Sequence, residues 1–129
     1  MINFSIKLQS GISVYGQIVY AVKKAIVSKQ LKPGDSFPSV RELSKALKIN
    51  PNTAQKAVAH LVREKLLVIK PGVGSIVNEL NEATDLQRKE ILDIEIEKIV
   101  VEAKRLLINK KEVLDAIRCH WDIKSEDIK

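Results

Sequence analysis

The sequence predicts a mainly α-helical fold with one small β-hairpin and a helical tail. Three observations lead there. Residues 37–77, FPSVRELSKALKINPNTAQKAVAHLVREKLLVIKPGVGSIV, hold two short helical patterns with a tight break between them, then two apolar runs around a Gly-bearing turn. Charge is unevenly divided: residues 1–78 carry twelve Lys and Arg against three Asp and Glu, net +9, whereas residues 79–129 carry ten against thirteen, net −3. After residue 84, apolar positions recur at helical spacing on several faces, more than one helix pair covers by itself. Together these describe a winged helix-turn-helix over residues 1–78, a polar linker at 79–83 and a two-helix tail at 84–129.

The elements follow in order. Ile2, Phe4, Ile6 and Leu8 alternate with polar residues, the pattern of a short strand or an extended arm. Ser13 is placed to cap a first helix at 14–29, whose apolar face is Tyr15, Ile18, Val19, Val22, Ile26 and Val27, with Lys23, Lys24 and Lys29 off it. Pro33-Gly34 ends that region in a turn, and Ser36-Phe37 reads as a very short strand. Ser39 with Glu42 three residues on is a capping box and opens a second helix, with Val40, Leu43, Ala46 and Leu47 on its apolar side. Asn50-Pro51 opens the third, because Asn caps well and the N–H that Pro lacks is unpaired at the first helical position anyway. Ala54, Ala57, Val58 and Leu61 form its buried face. The opposite face carries Asn52, Lys56, Ala59 and Arg63, flanked by Thr53, Gln55 and His60. Leu66–Ile69 and Ser75–Val77 then flank the Pro71-Gly72-Val73-Gly74 turn as a hairpin, the wing.

In the tail, Thr84 with Gln87 marks a second capping box and a long helix at 84–108. Leu92, Ile96, Ile99, Ala103 and Leu106 follow steps of 4, 3, 4 and 3, a heptad-like seam. Asn109 caps a last helix at 110–121 with Val113, Leu114, Ile117 and Trp121 on its apolar side, and residues 122–129 read as a fraying polar end. A second copy of the tail would complete a small bundle, so the expected homodimer interface is Leu92, Ile96, Ile99, Ala103, Leu106, Leu114 and Ile117.

Several function classes fall away. No stretch reaches the ~20 apolar residues of a membrane span, and the N-terminal segment has no signal-peptide core. The single cysteine, Cys119, excludes an intrachain disulfide and is read as a partly buried small apolar residue. Cys119, His60 and His120 have no metal-ligand spacing, so no metal or cofactor is expected, and no nucleophile–base set or phosphate-binding loop points to an enzyme. A basic helix-turn-helix with a mixed polar face instead fits double-stranded DNA, in a cytoplasmic protein. On the residues alone, Asn52 and Gln55 suit adenine, Lys56 suits guanine or phosphate, and Lys70, Gly72 and Gly74 place the wing against a DNA backbone. Arg63 and His60 lie far along the third helix and are left out of this set. The alternative is a winged helix used as a protein-interaction module, which needs no basic face.

Phe37-Pro38-Ser39-Val40-Arg41-Glu42-Leu43 resembles the second-helix signature of the GntR family. Asn50-Pro51-Asn52-Thr53 with Lys56-Ala57, Val14-Tyr15-Gly16-Gln17-Ile18 and Leu31-Lys32-Pro33-Gly34-Asp35 resemble its YtrA-type branch, whose tails are short and helical. The resemblance covers residues 4–78. It implies a bacterial homodimeric transcription regulator, usually a repressor and often of ABC-transporter operons. It also implies DNA contact by Arg41, Asn52, Thr53 and Gly72. Many members carry Arg where this chain has Pro51 and Gln55, and Gly where it has Lys65. The tail is too short for a dedicated effector domain. A small-molecule effector, whose identity the sequence does not give, would sit between tail and winged helix or across the dimer.

Overall fold

In a computed structural model, residues 2–122 are described, and the chain parts into two compact units between Leu80 and Asn81. The expected fraying end from residue 123 onward lies outside the described residues.

The N-terminal unit holds α1 (Val14–Val27), α2 (Val40–Leu47), α3 (Pro51–Arg63), β1 (Leu67–Lys70) and β2 (Gly74–Val77). Its first residues form an extended arm and no strand. Phe4 is buried with its ring stacked on Phe37, centroids 5.5 Å apart. Two glutamines hold the arm by its backbone. Gln30 Oε1 accepts from Ser5 N at 3.0 Å, and Gln17 Oε1 accepts from Gln9 N at 2.7 Å while its Nε2 donates back to Gln9 O at 2.9 Å. A side-chain amide thus supplies the pairing a neighbouring strand would otherwise give.

Ser13 caps α1 by accepting from Gly16 N at 3.2 Å. The helix stops at Val27, two residues short of the expected end, because Lys29 takes a left-handed conformation with φ 68°. Its buried stripe is Ile18, Val19, Val22, Ala25 and Ile26. Val27 is exposed, a correction to the expected face: 18, 22, 25 and 26 lie on one side of the cylinder and 27 is carried past it.

Ser39 and Glu42 form the reciprocal capping box at the start of α2. The hydrogen bond from the Ser39 backbone N–H to the Glu42 carboxylate, and next the Ser39 side chain, hold that carboxyl below its ordinary value. Ala46 is exposed, whereas Ser44 is buried with its hydroxyl donating to Ile49 O at 2.8 Å. The inner face of α2 is therefore Leu43 and Ser44 with Val40 and Leu47 half-buried against the core as expected, and the polar residue is tolerated because its donor is satisfied. Asn50 accepts from Asn52 N at 2.7 Å and opens α3 ahead of Pro51. Ala54, Ala57, Val58 and Leu61 are buried as expected.

β1 and β2 pair antiparallel in register, Leu67 with Val77 and Lys70 with Gly74. The free edge of β2 is partly taken by residues 35–37: Val77 N donates to Asp35 O at 2.8 Å and Phe37 N to Ser75 O at 2.9 Å. The short strand expected at Ser36-Phe37 is thus a single bridge, Ser36 to Ile76. One core of Ile18, Val22, Leu31, Leu43, Leu61 and Leu67 joins the three helices to the hairpin.

The second unit holds α4 (Asp85–Lys89), a π-helical turn (Glu90–Glu95), α5 (Ile96–Arg105) and α6 (Lys110–Trp121). Thr84 and Gln87 form the expected capping box. Asn109 accepts from Glu112 N at 2.9 Å at the start of α6. The long helix differs from expectation in two ways. Ile96 N bonds Ile91 O, so residues five apart stack across the π turn and the step from Leu92 to Ile96 is rephased. The helix also ends at Arg105, not 108, because Leu107 turns left-handed at φ 60° and Ile108 N closes on Ala103 O at 2.9 Å. Ala103 is buried and Ile96 half-buried, while Leu92, Ile99, Leu106, Leu114 and Ile117 are exposed in the single chain. Between α5 and α6 runs an open groove of about 740 Å3, floored by Ile99, Ala103, Leu106, Val113 and Ile117. Cys119 is exposed, contrary to the partly buried reading, since it lies on the outer side of α6. No described helix is long and apolar enough to cross a membrane.

Candidate nucleic-acid interface

The second residue of α2 is Arg41, so the helix start that the Ser39/Glu42 box fixes also fixes where Arg41 emerges. It is exposed and makes no ion pair among the described residues. A cation at a helix N-terminus gains nothing from the helix dipole. An external anion is the partner that suits this position.

On α3, Asn52, Gln55 and Lys56 are exposed and Thr53 is half-buried. The backbone of Asn52 is spent on the Asn50 cap, and its side-chain amide is free of protein partners among the described residues. The predicted recognition residues therefore lie together on the first two turns of one helix, three of the four exposed. Lys70, Gly72 and Gly74 lie at the exposed end of the hairpin. Gly72 and Gly74 have φ of 78° and 109°, and no atom lies within 4 Å of where a Cβ would stand. Glycine is required there by the backbone of the turn, with no crowding from within the protein.

The electrostatics sharpen the face. Residues 1–78 hold only three acidic side chains, and each is engaged by a partner other than the recognition residues. Asp35 Oδ2 accepts from Lys32 N at 2.8 Å. Glu42 is taken up in its capping box. Glu64 pairs with His60 and lies 3.4 Å from Lys23 Nζ. Arg41, Lys45, Lys48, Lys56 and Lys70 thus have no carboxylate partner among the described residues, and their field points outward. Among the described residues, no His/Cys/Asp/Glu group is arranged to hold a metal ion.

Sequence reasoning missed the cluster at the end of α3. His60 stands edge-on to Tyr15 of α1, centroids 5.4 Å apart, and also meets Arg63 and Glu64. Steps of three and four from His60 to Arg63 and Glu64 put all three on one helix side, which was the available signal. Tyr15, 45 positions away, had none.

A capped short helix, a second helix presenting polar side chains outward and a hairpin beside them, all on one basic unit, define a winged helix-turn-helix DNA-binding protein. The chain belongs to the GntR family of bacterial regulatory proteins, whose family model matches residues 14–77. It is 32% identical over 112 residues to YhcF of Bacillus subtilis (strain 168), an uncharacterised HTH-type transcriptional regulator, covering 87% of this chain and 93% of that one. It is 31% identical to the HTH-type transcriptional repressor YtrA of the same organism, over 74% of each chain. Among solved structures it is similar to YtrA from Sulfolobus acidocaldarius, a GntR-family transcription factor. That likeness has a TM-score of 0.61 and 29% identity over 77% of this chain and 98% of the other. The family consists of transcription regulators and not enzymes, and the relatives place this chain in its YtrA-like subfamily.

Proposed function

We propose that this chain acts as a homodimeric repressor that binds an inverted-repeat operator, with the winged unit reading DNA and the tail pairing two copies. The observation that carries this reading is the unopposed basic face: Arg41, Lys56 and Lys70 flank exposed amides on α3, and all three carboxylates of residues 1–78 are occupied elsewhere. In the proposed complex, the start of α3 enters the major groove. Asn52, Thr53, Gln55 and Lys56 then meet base edges or phosphates, Arg41 flanks them, and Lys70, Gly72 and Gly74 bring the wing to the backbone.

Homodimerisation through Leu92, Ile96, Ile99, Ala103, Leu106, Leu114 and Ile117 is supported by the open apolar groove between α5 and α6. Intrahelical ion pairs of Lys111 and Arg118 with Asp115 mark the solvated face of α6. Two recognition helices on a two-fold axis call for half-sites about 34–36 Å apart. Repression as the sign is supported by the similarity to a relative named as a repressor, and an ABC-transporter operon as the target is what the resemblance to the YtrA branch implies. A small-molecule effector would act by changing the spacing of the two recognition helices.

Anisotropy titrations against the DNA upstream of its own gene, at several salt concentrations, test the reading. Binding well above that to random duplex is expected, falling with salt by about 0.9 in log–log slope per phosphate contacted. Affinity no greater than for random DNA overturns it. Replacing Arg41 and Lys56 together with Ala is expected to abolish binding while leaving the dimer intact. A pure protein-interaction module would be indifferent to that change.

A further inference from the structure

The last turn of α3 carries charged groups that the reading above does not use. The His60 side chain is about three-quarters buried, 24% exposed. Its Nδ1 meets the Tyr15 hydroxyl and lies 3.2 Å from Arg63 Nη2. Its Nε2 meets the Glu64 carboxylate, which in turn lies 3.4 Å from Lys23 Nζ. Tyr15 and Lys23 on α1, with Arg63, Glu64 and, one turn back, Lys56 on α3, are the titratable groups around the ring among the described residues.

Only one of these contacts is lost when the ring is charged. With His60 neutral, Nε2–H donates to Glu64 and Nδ1 is an acceptor, its one lone pair shared between the Tyr15 O–H and the Arg63 N–H. A guanidinium can only donate, so Arg63 can bond Nδ1 in this state alone. When the ring gains a proton, Nδ1 becomes a donor. The Tyr15 hydroxyl turns round and accepts, and the Glu64 contact strengthens as an ion pair. Arg63 loses its acceptor and faces a like charge. Histidine is the side chain whose charge changes between pH 5 and 8.

We propose that Arg63 is a further DNA-contacting residue, held off DNA by neutral His60 and released when His60 is protonated. The proposal rests on the DNA-binding reading of α3. Arg63 shares the outward face of that helix with Asn52 and Lys56, eleven and seven residues earlier. Eleven residues span about 17 Å along the axis, about twice the ~8.5 Å depth of the major groove that the start of α3 enters. With Asn52 on the base edges, Arg63 therefore stands over the phosphate backbone, and its contribution is to affinity and salt dependence.

The test has two arms on the full chain, at pH 7.5 and pH 5.5. In the first, without DNA, nitrogen-15 side-chain resonances of His60 and Arg63 are followed. The Arg63 resonance is expected to move with the His60 titration and to stay put in His60→Gln. In the second, salt slopes of binding to upstream DNA are measured. The slope is expected to steepen at pH 5.5 by about 0.9 per Arg63. Arg63→Gln should remove that increment and leave the slope at pH 7.5 unchanged. His60→Gln should remove the pH difference, and His120→Gln should keep it. An Arg63 resonance that ignores His60, or Arg63→Gln with the wild-type slope at both pH values, overturns the proposal. A chain that binds no DNA at either pH overturns the functional reading and this contact with it, and the first arm then still decides whether the His60–Arg63 latch exists.

Discussion

Arg41 shows how one residue acquires a role from its surroundings. Its position is set by its neighbours, Ser39 and Glu42, whose capping box fixes the first turn of α2. Arg41→Ala is expected to leave the fold intact and to weaken operator binding by about 1–3 kcal/mol, relaxing discrimination at one base pair; titrations against single-base operator variants measure both effects. The same turn predicts a pH effect. The Glu42 carboxyl is held below its ordinary value, foremost by the Ser39 backbone N–H. The box therefore adds stability above the ordinary carboxylate range, and loses it as pH falls through the lowered value. Glu42→Gln keeps both hydrogen bonds of the box, so urea unfolding at pH 7 and pH 3 is expected to show a smaller acid loss in that variant. Lys65 offers a third test. It is the left-handed residue after α3, with φ 64°, where Leu66 N closes on Leu61 O at 2.9 Å. Left-handed geometry costs a side-chain-bearing residue about 1–2 kcal/mol, and glycine gives back about 0.5–1 kcal/mol in chain entropy. Lys65→Gly is therefore expected to raise the melting temperature slightly; a lower one would mean that the lysine side chain supplies a compensating contact.

Among the elements, α3 is the most constrained, because both its faces are committed. Ala54 and Ala57 are fully buried, and their small size lets α1 and α2 come close. Ala57→Leu would force that packing apart, at about 1–3 kcal/mol, read in a denaturation midpoint. Helix starts were legible in the sequence because caps are local chemistry: Ser13, Ser39, Asn50, Thr84 and Asn109 all accept from the expected turn. Helix ends were less legible. The residues that turn left-handed are Lys29, Lys48, Lys65 and Leu107, where a glycine would have announced the stop. The exposed face of α3 could be read from its period, since burial of Ala54, Ala57, Val58 and Leu61 turns the other side outward. The arm was legible only as one of two alternatives, arm or strand, because the side chains that clamp it, Gln17 and Gln30, carry no such mark in sequence. The π turn at Glu90–Glu95, which has no glycine, proline or cap, was not legible.

At the scale of the whole molecule, charge and apolar surface are separated. The winged unit presents cations on a well-filled core, whereas the tail leaves Ile99 and Leu106 about half exposed. Apolar area withdrawn from water returns roughly 25 cal/mol per Å2, so these side chains favour association far more than they favour the free chain. The groove between α5 and α6 has the Asp115 ion pairs of α6 off its lining, Glu102 at its wall and its apolar floor open, the layout that a second, identical helix pair completes. Ile99→Glu places a charge on that floor without touching the winged unit. The variant is expected to sediment as a monomer and to keep the circular dichroism of a folded chain. It should still bind DNA, because its basic face is intact. Its salt slope should fall to about half, since each phosphate contact contributes about 0.9 and a monomer makes only one half-site's worth. A variant that stayed dimeric would move the interface off this groove. One that became monomeric yet kept the full slope would show that a single winged unit makes all the phosphate contacts, leaving the second copy no part in holding DNA.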